Sequence, residues 1–148
     1  MSGVLEKAEP YNCTLKYAPK KLKKNKNFIM HAVKQNGFSL KHVSKNFRND
    51  KEIVLEAVKQ NGKALKYASE ILQNDKEVVL EAVKQNGKAL KYASKTLQND
   101  KDVVLVALRQ NNKAHKYVST ILKNDRNVVL ELIKNKYMYC YLPELLGN

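Results

Sequence analysis

Residues able to do acid–base, metal or nucleophilic chemistry are thinly scattered in this sequence. The histidines, His31, His42 and His115, fall at unrelated places in its pattern. Cys13 and Cys140 stand far apart, without the close spacing that brings thiolates onto one ion or into a redox pair. No phosphate-binding glycine loop, zinc-protease helix or nucleophile motif occurs. The expectation is a protein that is not an enzyme, with no catalytic residue, no metal and no cofactor. Lysine is the abundant reactive type: 28 Lys+Arg stand against 14 Asp+Glu in 148 residues, a formal net charge of +14. The chemistry on offer is attraction of polyanions, by screened Coulomb forces and release of their counterions.

Those lysines are placed by a repeat. Asn49-Asp50, Asn74-Asp75, Asn99-Asp100 and Asn124-Asp125 recur at one fixed shift of 25 residues, and residues 49–73 and 74–98 are nearly identical. The same skeleton runs through 24–48 and 99–123, with a half unit at 12–23 and a terminal unit at 124–148. The chain divides into a tail, residues 1–10, and one repeat domain, residues 11–148. A repeat of this length signals a solenoid.

Each unit reads as two short helices. In the first, Asn49 stands three residues before Glu52, the spacing of a helix cap, with Asp50 as the alternative cap. Ile53, Val54, Leu55, Ala57 and Val58 form an apolar stripe. Asn61-Gly62 then stops the helix, glycine taking a left-handed conformation in which Asn112 can stand in for it in the fourth unit. Ala64, Leu65, Ala68, Ile71 and Leu72 line one side of a second helix, with Lys63, Lys66 and Glu70 opposite. His115 takes the place of the core residue Leu90. Helices of about ten residues are marginal alone, so the units must stack. The fold class expected is all-α: an α-solenoid of stacked helix-turn-helix repeats, about five units of 25 residues. The segment from Tyr137 to Leu142 breaks the pattern and reads as a C-terminal cap.

Asn74, Asp75, Leu80, Ala82, Val83, Asn86, Gly87, Leu90, Tyr92, Ala93 and Ser94, with their counterparts one unit upstream, resemble the pattern of the 4116 family of domains of unknown function. The resemblance spans roughly residues 14–134 and covers both helices and the turn together. It implies a small helical repeat domain and no activity or ligand. Departures are at the ends and at Phe38, His42, Asn112 and His115.

Because all units share one geometry, exposed positions form ladders. The outer side of the first helices sets Glu52, Glu56, Glu77, Glu81, Asp102 and Glu131 against Lys34, Lys59, Lys84, Arg109 and Lys134, close to neutrality. The outer side of the second helices carries Lys16, Lys20, Lys41, Lys45, Lys63, Lys66, Lys88, Lys91, Lys95, Lys113 and Lys116, opposed only by Glu70. These eleven lysines are the candidate binding residues. Tyr17, His42, Tyr67, Tyr92 and Tyr117 each follow a ladder lysine, at the edge of the core stripe. Residues 1–48 hold 11 Lys+Arg and 2 acids, the most basic third.

The expected role is a binding or scaffold module whose basic face meets an acidic protein surface or larger assembly. The alternative is binding of the RNA or DNA backbone without sequence preference. Repeat proteins that read one base per unit vary the reading residue, whereas Gln35, Gln60, Gln85 and Gln110 are invariant. No stretch is apolar enough to span a bilayer and no secretory signal is recognisable, so an intracellular, cytoplasmic protein is expected. The Lys20–Lys26 cluster also reads as a nuclear import signal, and a viral factory is a further setting.

Overall fold

A computed structural model describes the backbone of residues 14–146 and the side chains of 15–136. The expected tail, residues 1–10, both cysteines and the side chains of the pattern-breaking segment from Tyr137 onward lie outside the described residues. Helices account for the regular structure among the described residues, with no strand. Long helices run in parallel layers: α1 (Lys26–Gln35), α2 (Lys51–Gln60), α3 (Lys76–Gln85), α4 (Lys101–Gln110) and α5 (Arg126–Leu146). Each packs on the next, and the segments between them form a second layer stacked in the same order. The result is the expected helical solenoid.

The first-helix stripe is the core. Ile53, Val54, Ala57 and Val58 are wholly buried in α2, as are Val78, Val79, Ala82 and Val83 in α3, with Leu55 and Leu80 partly covered. Full burial of such side chains contributes about 1.5–3 kcal/mol each, so neighbouring units stabilise one another. The cap is Asp50 rather than Asn49: its carboxylate accepts from the N–H groups of Glu52 and Ile53. Asn49 ties the start of its unit to the second layer of the same unit, its Oδ1 accepting from Ser69 Oγ at 2.6 Å. The same bond joins Ser94 to Asn74 and Ser119 to Asn99.

The second helix differs from expectation. It is a 3-10 segment, Gly62–Tyr67, broken at Ala68 and restarted as the single turn Glu70–Gln73. The cause is competition for backbone groups. A continuous α-helix needs the Ser69 N–H on the Leu65 carbonyl, but that N–H donates instead to Arg48 O of the preceding unit at 2.9 Å. The Gln73 amide takes the freed Leu65 and Lys66 carbonyls, at 3.1 and 3.3 Å. Ser69, in extended conformation, caps the new turn at Leu72 N. A helix of one turn offers the core one residue, Leu72, and Ile71 is left 70% exposed instead of lining the core as expected.

The turn glycines also act differently. Neither Gly62 nor Gly87 takes a left-handed conformation; a Cβ on Gly62 would lie 2.3 Å from the Ala82 carbonyl oxygen of the next unit, and on Gly87 2.2 Å from that of Ala107. Glycine is there because two backbones touch. The turn itself is made by Asn61, extended at φ −151°, whose side chain accepts from Lys63 N–H. In the unit 99–123 Asn112 replaces glycine, and the facing α5 of the terminal unit runs on to Leu146 without a turn. His115, expected in the core, is exposed, with its Nδ1 3.0 Å from Asn112 O.

Gly62→Ala is expected to lower stability by about 2–3 kcal/mol, since the added methyl meets backbone that moves only if the units part. Urea unfolding followed by far-UV circular dichroism measures it, and an unchanged midpoint would show that the units are not in backbone contact there.

Candidate basic binding face

The charges sort into two populations. At the N-terminal ends of the long helices, Lys26 Nζ lies 2.9 Å from Asp50 and 2.8 Å from Glu52 of the following unit. Lys51 repeats this with Asp75 and Glu77, and Lys76 with Asp100 and Asp102. Lys101 pairs with Asp125 at 3.3 Å. On the outer side of the same helices Lys59 pairs with Glu56, Lys84 with Glu81 and Arg109 with Glu131. The ladder of Lys26, Lys51, Lys76 and Lys101 between units was not foreseen from the sequence; its signal was the lysine directly after the caps Asn25, Asp50, Asp75 and Asp100.

The eleven ladder lysines form the second population. They stand on or beside the 3-10 segments and single-turn helices, and none has an acidic partner among the described residues. Ten are exposed and Lys88 is partly covered. Lys16, Lys66 and Lys91 lean over the ring of the following tyrosine, 5.3, 5.7 and 5.9 Å from its centroid. Lys95 reaches only the neutral Gln98, at 3.3 Å. The tyrosines that follow the ladder pack against the core at Tyr67, Tyr92 and Tyr117, whereas Tyr17 is 74% exposed. In that column His42 is partly buried; burial, then Lys41, Lys16, Lys23 and Arg48, hold its imidazole below the ordinary value. It is therefore mainly uncharged at neutral pH.

The invariant glutamines are ties between units. Gln60 Oε1 accepts from Gly37 N–H at 2.6 Å, and Gln110 Oε1 from Gly87 N–H. Gln85 Nε2 donates to Lys59 O of the preceding unit at 2.7 Å. Gln98, the residue that grips the 3-10 carbonyls in its unit, is buried. Among the described residues no group of three or more His, Cys, Asp or Glu side chains lies close enough together to hold a metal ion, and no helix is long and apolar enough to cross a membrane.

The profile of the domain of unknown function DUF4116 matches residues 11–48, 25–73, 50–98, 75–120 and 100–146. The chain belongs to the DUF4116 family. The internal windows advance with the repeat, and each spans two stacked units of the DUF4116 fold. No curated protein and no solved structure matches the chain.

The Asp cap of each long helix carries a pH dependence. Burial tends to raise the carboxyls of Asp50, Asp75 and Asp100, but the hydrogen bond from the preceding unit's lysine and the helix N–H groups outweigh it, so all three lie below the ordinary value. Their contribution is complete above the unfolded-state value, about 3.9, and is lost as pH falls through the lower native values. Lys26, Lys51 and Lys76 are raised, chiefly by hydrogen bonds to Glu52, Glu77 and Asp102, so their share is full below about 10.4 and lost above it. The urea midpoint is expected to fall below about pH 4, and Asp75→Asn with Asp100→Asn should flatten that fall. An equally steep acid limb in the double variant would remove these aspartates from the account.

Proposed function

We propose that this DUF4116 domain is a non-enzymatic binding module whose lysine-lined face contacts an acidic partner, an acidic segment of another protein in an assembly. One observation carries the reading. In the long-helix layer, Lys26, Lys51, Lys59, Lys76, Lys84 and Lys101 have acidic partners, Lys34 and Lys134 being exceptions, while among the described residues none of the eleven ladder lysines has one. Lys26, Lys51, Lys76 and Lys101 bridge successive units, Lys59 and Lys84 pair within their own helices, and the ladder lysines do neither. Leaving like charges side by side costs self-repulsion, which an acidic partner relieves.

The alternative reading, binding of an RNA or DNA backbone, uses the same lysines through counterion release. It needs no base contacts, in keeping with glutamines already bonded inside the fold. Lysine as a point charge serves carboxylate and phosphate alike.

Reversing Lys41, Lys66 and Lys91 to Glu is expected to weaken binding of an acidic peptide by about tenfold or more at low salt, with the helical circular dichroism unchanged. Reversing Lys59 and Lys84 should matter less, since both are engaged with Glu56 and Glu81. Fluorescence anisotropy with a polyglutamate peptide and a generic single-stranded RNA at about 50 mM salt reads both arms. Equal losses from the two sets of substitutions would refute a one-sided binding face, and binding of the RNA alone would move the function to the alternative.

A further inference from the structure

Compared unit by unit, the lysine face is not uniform. The column Lys20, Lys45, Glu70, Lys95 and Thr120 carries its only acid in the middle of the array. Each groove between successive second-layer segments is lined from both sides. At the N-terminal end Lys20, Lys23 and Lys24 line a hollow with His42, and Lys16, Lys41 and Arg48 stand near the same imidazole, with no acid among them. Glu70 belongs to the middle unit of the array, the unit of Lys63 and Lys66. The last groove brings together Lys91, Lys95, Lys116 and Lys123, again with no acid.

Concave surface occurs at both of these ends. The N-terminal hollow, about 620 Å³, has Lys20, Lys23 and Lys24 around an apolar floor of Val43 and Phe47 beside the mainly uncharged His42. The C-terminal hollow, about 580 Å³, is lined by Lys91, Lys95, Lys116 and Lys123 with Ser119 and Thr120. They occupy corresponding places three units apart: Lys20 corresponds to Lys95, Val43 to Val118 and Ser44 to Ser119. With long helices stacked about 8–10 Å apart, that separation is about 24–30 Å.

We propose that the domain grips its partner at these two hollows, and that the partner is an extended acidic segment of a protein with two clusters of acids about eight or nine residues apart. This rests on the reading of the lysine face as a site for an acidic protein segment. The spacing follows from an extended chain rising about 3.3 Å per residue. Two features select a polypeptide over a nucleic-acid backbone. The Val43–Phe47 floor offers burial to an apolar side chain beside the first acidic cluster, which a sugar-phosphate chain lacks. Glu70 reduces the positive charge at the centre, so an evenly charged backbone gains less there than at the ends, and a segment with a neutral spacer loses nothing. The unlike hollows also give the segment a direction, its apolar residue going to the N-terminal end.

The test uses the full chain and a synthetic peptide with two triglutamate clusters, a leucine beside the first, and a five-residue Gly-Ser spacer, which sets the cluster centres eight residues apart. A control of identical composition has the six glutamates contiguous. Titration calorimetry at about 50 mM salt is expected to show the two-cluster peptide binding about tenfold or more tighter, the gain of tethering two weak sites. Replacing Lys20, Lys23 and Lys24 by Gln, or Lys95, Lys116 and Lys123 by Gln, should each bring it down to the control. Replacing Lys63 and Lys66 by Gln, beside Glu70, should cost less than about threefold. Glutamine keeps the side chains long and polar, and an unchanged circular dichroism spectrum verifies folding. If the two peptides bind alike, or the central replacements cost as much as the terminal ones, the two-hollow proposal is overturned while the acidic-partner reading stands. If neither peptide binds and single-stranded RNA does, both fall.

Discussion

Backbone contact between successive units is the constraint on which the rest of this structure depends. Gly37, Gly62 and Gly87 each place a bare Cα against the last carbonyls of the next long helix, closer than any Cβ permits. That approach fixes the offset of one unit on the next. Once it is fixed, the Ser69 N–H reaches Arg48 O and Gln60 reaches the Gly37 N–H. These bonds use groups that an isolated hairpin would spend on its own second helix. The second layer is therefore a 3-10 segment and a single turn because the first layer is so close.

The charge distribution follows from the same offset. A lysine directly after the cap residues Asn25, Asp50, Asp75 and Asp100 is carried alongside the next unit's Asp, and at Lys26, Lys51 and Lys76 it pairs also with the acid two residues beyond it. Exposed pairs of this kind are individually weak. Their consequence is to neutralise one layer and leave the other with a surplus. The 3-10 segments, having no N-terminal Asp cap and one acid in the whole column, concentrate the net charge on their side.

Much of this was legible in the sequence. The repeat, the core of the long helices and the lysine ladder are periodic, and periodicity survives without coordinates. What escaped was whatever depends on a partner 20 or more residues away. The pattern Ala64, Leu65, Ala68, Ile71, Leu72 fits a helical stripe, and nothing local marks the break at Ala68. Gly62 was read through its own torsion when its reason lies in Ala82. His115 was placed in the core by analogy with Leu90, but a ring polar at both nitrogens settles outside, against Asn112. In each case the competing term was tertiary, and a single-unit reading carries no information about it.

Near-identity of the units makes their differences informative. Where two units share one backbone, a substitution on the exposed side changes charge without changing the fold, so Lys95 against Glu70 in the same column is a difference in surface chemistry alone. The N-terminal units add Lys23, His42, Phe47 and Arg48 where later ones have glutamine, tyrosine, leucine and glutamine or lysine. Arg48 does the structural task of Gln73, holding the carbonyls of Lys41 and Val43, so its charge is additional to that role. Uniform replication of one unit would have produced an even ridge. The departures instead gather positive charge at both ends around concave surface, where low-dielectric walls strengthen the field felt by an anion.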